Sequence, residues 1–127
     1  MDLNQITIYA TDTRALVEFY ERLGLRRIVD SLPRYARLEC PDGNSTLSVH
    51  SADSDQPSGI VLYFECADLD SEVIRLKSLG LDFEQDPKDQ DWLWREAYLR
   101  DPSGNRICLF HAGVNRKDPP WKVKSTK

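Results

Sequence analysis

The residues able to do chemistry recur at even spacings in short extended runs. Gln5 and Tyr9 bracket "QITIY", Ser48 and His50 share "TLSVHS", Tyr63 and Glu65 share "VLYFE", and Cys108 lies in "RICLF". Side chains alternate between the faces of a strand, so the members of each pair point the same way. His50 is able to take or give a proton near neutral pH, and Glu65 offers a second acid or base. Cys108 becomes a nucleophile only where a neighbour stabilises its thiolate, and no such neighbour is visible in the sequence. Each group also has a plainer role: His50 as a hydrogen-bonded structural residue, Cys108 as a small buried hydrophobe. A metal site built from His50, Glu65 and Cys108 has no supporting spacing.

Strand parity sorts these groups onto one side. The opposite face carries Ile6, Ile8, Ala10, Ala36, Leu38, Leu47, Val49, Leu62, Phe64, Ala97, Leu99, Ile107 and Leu109, and so must lie under helices. The face with Gln5, Tyr9, Ser48, His50, Tyr63, Glu65 and Cys108 also holds Thr7, Tyr35, Arg37, Glu39, Glu96, Tyr98, Arg100 and Phe110. So many polar groups suit the lining of a wet or ligand-filled hollow, with Arg37, Glu39, Glu96 and Arg100 pairing at its rim.

The elements that must position them repeat. Ile6 to Asp12 aligns with Leu62 to Asp68 at an offset of 56 residues, and the match continues without a gap through Leu23-Gly24-Leu25 over Leu79-Gly80-Leu81. Arg34 to Asn44 then aligns with Arg95 to Asn105 at an offset of 61. In each half a strand ends at an aspartate able to cap a helix, Asp12 or Asp68, and a glycine, Gly24 or Gly80, stands at the helix stop. Three further strands fit behind each helix: around Arg26–Asp30, Tyr35–Cys40 and Thr46–His50 in the first half, and at Phe83, Glu96–Arg100 and Arg106–Phe110 in the second. The unit is βαβββ, twice, and each copy needs its neighbour to bury its apolar face.

Composition bounds the reading. The chain has 127 residues, 40% of them hydrophobic, which suits one domain. A net charge of −4 argues against a nucleic-acid or anionic-membrane partner, because both require a basic field. Three cysteines without Cys-x-x-Cys spacing and a start lacking a basic, apolar leader point to a reducing cytoplasm. No apolar run approaches the ~20 residues of a membrane span. Small molecules are the expected partners.

Two segments stand outside the repeat. Residues 84–95, "EQDPKDQDWLWR", read as a long acidic loop whose Trp92 or Trp94 either stacks on a flat ligand or pins the loop to the core. The tail from residue 113, with Pro119 and Pro120 before Trp121, reads as extended, Trp121 docking on this chain or a partner and the last residues loose.

Taken together, "FYERLGLRRI", "LYFECADLDS" and "DPSGNRICLF" make the chain resemble the vicinal-oxygen-chelate superfamily of glyoxalases, bleomycin-resistance proteins and extradiol dioxygenases, over residues 3–112. The resemblance implies an α+β fold of two tandem βαβββ modules, residues 3–50 and 59–112, forming a curved, mostly antiparallel sheet around a cavity, with residues 113–127 as a tail. In metal-dependent members the ligands come from the first and last strands of each half. Those places map onto Gln5, Ser48, Val61 and Cys108, where a hydrocarbon, a neutral hydroxyl, an amide and one thiol replace the usual His and Glu. The expectation is no metal and no cofactor. Cys108 then stands in place of a lost carboxylate.

Three functional classes follow. The first is a metal-free binding or sequestering protein of the bleomycin-resistance type, holding an aromatic or cationic small molecule with Gln5, Tyr9, Ser48, His50, Tyr63, Glu65, Trp94 and Cys108. The second is an enzyme of lyase, isomerase or dioxygenase type, acting through His50 or Glu65. The third is a metal enzyme whose ligands lie elsewhere. Exposed strand edges and half-open hollows are completed by a two-fold partner, so a homodimer is expected.

Overall fold

Both helices begin and end by the same devices. The Asp12 carboxylate accepts the N–H of Ala15 at 3.0 Å, and that of Asp68 accepts the N–H of Ser71 at 3.2 Å. At the other end Gly24 and Gly80 take left-handed φ values of 112° and 89°. Leu25 N–H reaches the Tyr20 carbonyl and Gly24 N–H that of Glu21; Leu81 repeats this to Leu76 and Gly80 to Lys77. These are the paired bonds of a Schellman motif. Between such caps run α1 (Thr13–Leu23) and α2 (Leu69–Ser78) in the computed structural model, which describes residues 1–124.

The full order is β1 (Gln5–Ala10), α1, β2 (Arg26–Ser31), β3 (Tyr35–Glu39), β4 (Thr46–Ser51), β5 (Val61–Glu65), α2, β6 (Gln85–Asp89), β7 (Arg95–Arg100), β8 (Arg106–His111) and a 3-10 turn at Gly113–Arg116. The fold is α+β, with βαβββ repeated in tandem, each copy forming a four-stranded sheet: β1-β4-β3-β2 and β5-β8-β7-β6. No described helix is long and apolar enough to cross a membrane.

The chain divides into two compact units. The first comprises Met1–Ile60 and Arg100–Arg106. Its sheet is mixed, β1 lying parallel to β4 while β2, β3 and β4 run antiparallel. α1 packs on this sheet, and Leu16, Val17, Phe19 and Tyr20 are buried with Ile8, Ala10, Ala36, Leu38 and Val49. Each Leu, Val, Ile or Phe among them contributes ~1.5–3 kcal/mol when fully buried.

The turn Asp101–Asn105 belongs to this first unit, and a buried carboxylate organises it. Asp101 accepts from Tyr20 Oη at 2.7 Å, from Ser103 N at 3.0 Å, and from Asn105 N and Nδ2 at 2.9 Å each. Asn105 in turn accepts the Ser58 N–H at 3.0 Å. Burial, followed by the charge and hydrogen bond of Asp101, pushes the Tyr20 phenol far above its ordinary range, so it stays a neutral donor.

The second unit comprises Val61–Leu99 and the chain from Ile107 onward. α2 buries Leu69, Val73 and Leu76 and contacts β6. Here the structure corrects the sequence reading twice. The expected loop at residues 84–95 contains β6, and the strand marked at Phe83 starts at Gln85. β6 is an outer strand, paired with β7 with a register shift between Gln85 and Lys88 that accommodates Pro87; an edge strand with a bulge tolerates proline and charge. The tail is not extended throughout: residues 113–116 form the 3-10 turn, and Trp121 is exposed rather than docked on this chain. The expectation of loose last residues concerns 125–127, which lie outside the described residues.

Removing the Asp101 carboxylate orphans four donors at once, while removing the Tyr20 hydroxyl costs a single charge-assisted bond. Tyr20→Phe is expected to destabilise the chain by ~1.5–3 kcal/mol and Asp101→Ala by more, read from urea unfolding midpoints. Equal effects would show that the turn's internal bonds carry no stability.

Candidate functional site

In the first unit the polar face is a grid. The register sets Tyr9, His50 and Tyr35 in one row, Thr7, Ser48 and Arg37 in the next, and Gln5, Thr46 and Glu39 in the third. Glu39 is taken by Arg26, which meets it at 3.0 Å from β2. Arg37 therefore does not join the expected rim pairs. Its Nε instead donates to Tyr35 Oη at 2.9 Å, and its guanidinium lies 5.7 Å from the centre of the Tyr35 ring.

The protons in this grid can be placed by elimination. Gln5 Nε2 lies 3.3 Å from the Ile6 carbonyl, which only accepts, so this atom is the amide nitrogen. The same nitrogen donates to Ser48 Oγ at 2.7 Å, while Gln5 Oε1 accepts from the Thr46 hydroxyl. Ser48 is 1% exposed, and among the described residues its only other partner is Tyr35 Oη, at 2.7 Å. A buried hydroxyl without an acceptor is costly, so Ser48 gives its proton to Tyr35. The Tyr35 oxygen then accepts from both Ser48 and Arg37, and its own proton is left pointing away from both. The Ser48 bond first, and then the bond and charge of Arg37, outweigh partial burial and hold the phenol below its ordinary value of 10.0.

His50 stands beside this cluster. Its Nδ1 lies 2.8 Å from the Ser51 carbonyl and must donate to it, which leaves Nε2 of the neutral ring as an acceptor. The ring centres of Tyr9 and Tyr35 are 5.6 and 6.3 Å away, and Tyr9 is exposed. Gln5, Tyr9, Ser48 and His50 thus share one face. Tyr35 and Arg37 join them, although nothing in the sequence distinguishes them from the other polar residues of that face.

The equivalent face of the second unit differs from the expected wet lining. Cys108 and Phe110 are buried with Ala112, and Val61, Trp94 and Tyr98 pack against them. Trp94 stacks on Phe110 at 4.7 Å and 17°, and its Nε1 donates to the Asn115 carbonyl at 3.3 Å. The ring of Tyr63, half-exposed, stands edge-on to both Trp94 and Phe110 at 6.0 and 5.6 Å. Glu96 is 2% exposed and accepts from Trp92 Nε1 at 3.1 Å and from Tyr98 Oη at 2.9 Å. Arg100, in the first unit, donates to the Gly104 carbonyl. Burial, then the Glu96 bond and the nearby Cys108, push the Tyr98 phenol up.

Glu65 is engaged in holding backbone. Its Oε2 accepts the N–H groups of Ala112 and Gly113 at 2.8 Å each, and Arg116 lies 3.5 Å from Oε1. Burial alone would raise its pKa, but the two N–H donors and Arg116 prevail and hold it below its ordinary value. A carboxylate so engaged caps the 3-10 turn and is a poor proton acceptor.

The donor set does not fit a divalent metal. Gln5 and Ser48 are bonded to one another, Val61 has no donor atom, and Cys108 is buried among apolar side chains. Among the described residues no three His, Cys, Asp or Glu side chains group so as to hold a metal ion.

Comparison with known proteins places this architecture. The sequence profile of the Glyoxalase/Bleomycin resistance protein/Dioxygenase superfamily matches residues 2–109, and the chain belongs to that superfamily. A search of curated proteins finds no matching sequence. Among solved structures, lactoylglutathione lyase from Agrobacterium tumefaciens is 20% identical with a TM-score of 0.72, over 89% of this chain and 95% of the other. A glyoxalase/bleomycin resistance protein/dioxygenase from Nocardioides is 20% identical with a TM-score of 0.77, over 98% and 90%. A bleomycin resistance determinant encoded on the transposon Tn5 is 22% identical with a TM-score of 0.73, over 87% and 98%. Likeness at these identities concerns the fold.

Two titrations follow from the site. On raising pH, absorbance at the tyrosinate band should show one tyrosine ionising early; Tyr35→Phe removes that step, and Ser48→Ala or Arg37→Ala moves it upward. An unchanged curve in Tyr35→Phe contradicts the assignment. The depressed Glu65 pKa contributes stability that is complete above the unfolded value near 4.5 and is lost as pH falls through the lower folded value. Glu65→Gln should lower the urea midpoint at neutral pH by the equivalent of ~1 kcal/mol and flatten its decline below pH ~4.5.

Proposed function

We propose that this chain binds a small molecule with a flat, aromatic part and holds it without a metal. The observation that carries the reading is the state of the four positions where metal-dependent relatives place ligands: two are neutral groups bonded to each other, one is hydrocarbon, and one is a thiol in an apolar cluster. The half-exposed Tyr63 ring, backed by Trp94 and Phe110, supports an aromatic ligand, because edge and stacking contacts are worth ~0.5–1.5 kcal/mol each. A cationic ligand has less support, since Glu65 and Glu96 already have their oxygens engaged.

One observation favours a second reading, an enzyme using His50. Among the described residues its Nε2 has no protein partner, on the face that carries the phenol of Tyr35. Elemental analysis of purified chain should find less than ~0.1 equivalent of Ni, Zn, Fe or Mn; stoichiometric metal that survives dialysis overturns the metal-free reading. A screen of aromatic metabolites and drugs by indole emission should give a hit that is returned unaltered after long incubation. A hit that is consumed, with turnover abolished in His50→Ala while binding remains, replaces sequestration by catalysis, because a group acting only in the transition state changes rate without changing ground-state affinity.

We also infer a homodimer. β1 is an outer strand of its sheet, and Val114 and Trp121 are large apolar side chains at 70% and 57% exposure, a pattern that association relieves. Light scattering at low micromolar concentration should give twice the chain mass; a persistent 14.6 kDa species overturns it.

A further inference from the structure

Five arginines meet carboxylates. Arg26 meets Glu39, Arg27 meets Glu21 and Asp30, Arg75 meets Glu72, Arg95 meets Asp70 and Asp89, and Arg116 meets Glu65. Arg37, on the polar face of the first sheet, meets none among the described residues. Among the described residues its one hydrogen-bond partner is the phenol oxygen of Tyr35, and its terminal guanidinium nitrogens have no protein acceptor. The nearest acid in the register, Glu39, is already neutralised by Arg26.

The second donor stands against the first. Thr46, Gln5 and Ser48 pass their protons along in one direction, and the chain ends on the Tyr35 oxygen. With Ser48 and Arg37 occupying both acceptor positions, the Tyr35 O–H can only donate, and among the described residues no protein atom receives it. Gln5 and Ser48 are thus positioning residues: they fix which way the phenol proton points. One cation and one neutral donor, side by side, match a planar monoanion with two oxygens. A phosphate dianion calls for more positive charge than one guanidinium supplies. The Tyr9 and His50 rings, with Tyr35 in the same row of the sheet, border the pair with aromatic surface.

We propose that Tyr35 and Arg37 form a carboxylate-binding site, the phenol O–H and the terminal N–H groups of Arg37 donating to the two oxygens of one small-molecule carboxylate, with Tyr9 and His50 beside its aromatic body. This names the ligand class for the binding reading above and rests on it.

Benzoate and its neutral isostere benzamide test the assignment, titrated into the full chain and followed by amide chemical shifts. Benzoate is expected to shift the signals of residues 35–37 and 48–50 and to bind roughly tenfold tighter than benzamide, the size of one charge-assisted hydrogen bond. Tyr35→Phe and Arg37→Ala should each weaken benzoate about tenfold and narrow its advantage over benzamide, and Arg37→Lys should not restore affinity, because a point charge lacks the guanidinium fork. Tyr35→Phe keeps the ring, and native signal dispersion in that variant separates loss of the site from loss of the fold. Equal affinity for the two probes overturns the carboxylate class while leaving an aromatic-binding protein. Benzoate binding that maps elsewhere or ignores Tyr35→Phe overturns the site, as does the absence of any binding. Displacement of benzoate by an equal concentration of inorganic phosphate overturns the monoanion assignment. The indole-emission screen stands or falls separately, so a failed site and a failed binding reading give different results.

Discussion

A carboxylate taken out of water persists as an anion only where donors replace the water it lost, and Asp101 is 4% exposed. Its four donors come from its own turn and from the last turn of α1. That one requirement explains several features together. The turn after β7 must carry Ser103 and Asn105 at fixed offsets so that their backbone N–H groups converge. α1 must present a phenol rather than a hydrocarbon at Tyr20, in a position otherwise deep in the core. Asn105 must then satisfy its own oxygen, which it does on Ser58, ordering the chain before β5. The compactness of a unit that includes residues 100–106 follows from an electrostatic demand as much as from apolar burial.

The two copies of βαβββ show how one scaffold takes opposite chemistry. Where the first has Gln5, Ser48, Tyr35 and Arg37, the second has Val61, Cys108, Glu96 and Tyr98. The first set passes protons toward an outward-facing phenol. In the second the roles reverse: Tyr98 gives its proton to Glu96, Trp92 gives another, and the carboxylate closes on itself beside a packed aromatic cluster. The two copies share helix caps and strand order, and they differ in side-chain chemistry on the face that caps do not constrain.

Much of the frame was legible because it rests on local rules. Asp12 and Asp68 as caps, Gly24 and Gly80 as stops, and the alternation that buries Ile8, Ala36, Leu38, Val49, Leu99 and Ile107 need only near neighbours in sequence. β6 was illegible for the complementary reason: "QDPKD" has loop chemistry, and only its place at a sheet edge, with a bulge at the proline, allows it to pair. The partners of Glu65 were illegible because the donors that claim it stand 47 and 48 residues away. Parity put Arg37 and Glu39 on one face, but not the register that hands Glu39 to Arg26.

Tyr35 shows what kind of information a site requires. Parity already put it on the polar face, along with many other groups, and nothing in its type separated it from Tyr9 or Tyr63. What separates it is a count of lone pairs and protons along a chain of contacts: an amide fixed by a carbonyl, a buried hydroxyl with one acceptor left, a guanidinium without an acid. Each link is a constraint of satisfaction rather than of strength, since a surface arginine or an exposed tyrosine gains little from any single bond. Their joint effect is directional. A phenol that can no longer accept has only its proton to offer, and beside it stand guanidinium N–H groups that meet no carboxylate among the described residues, so both are left to water or to a ligand.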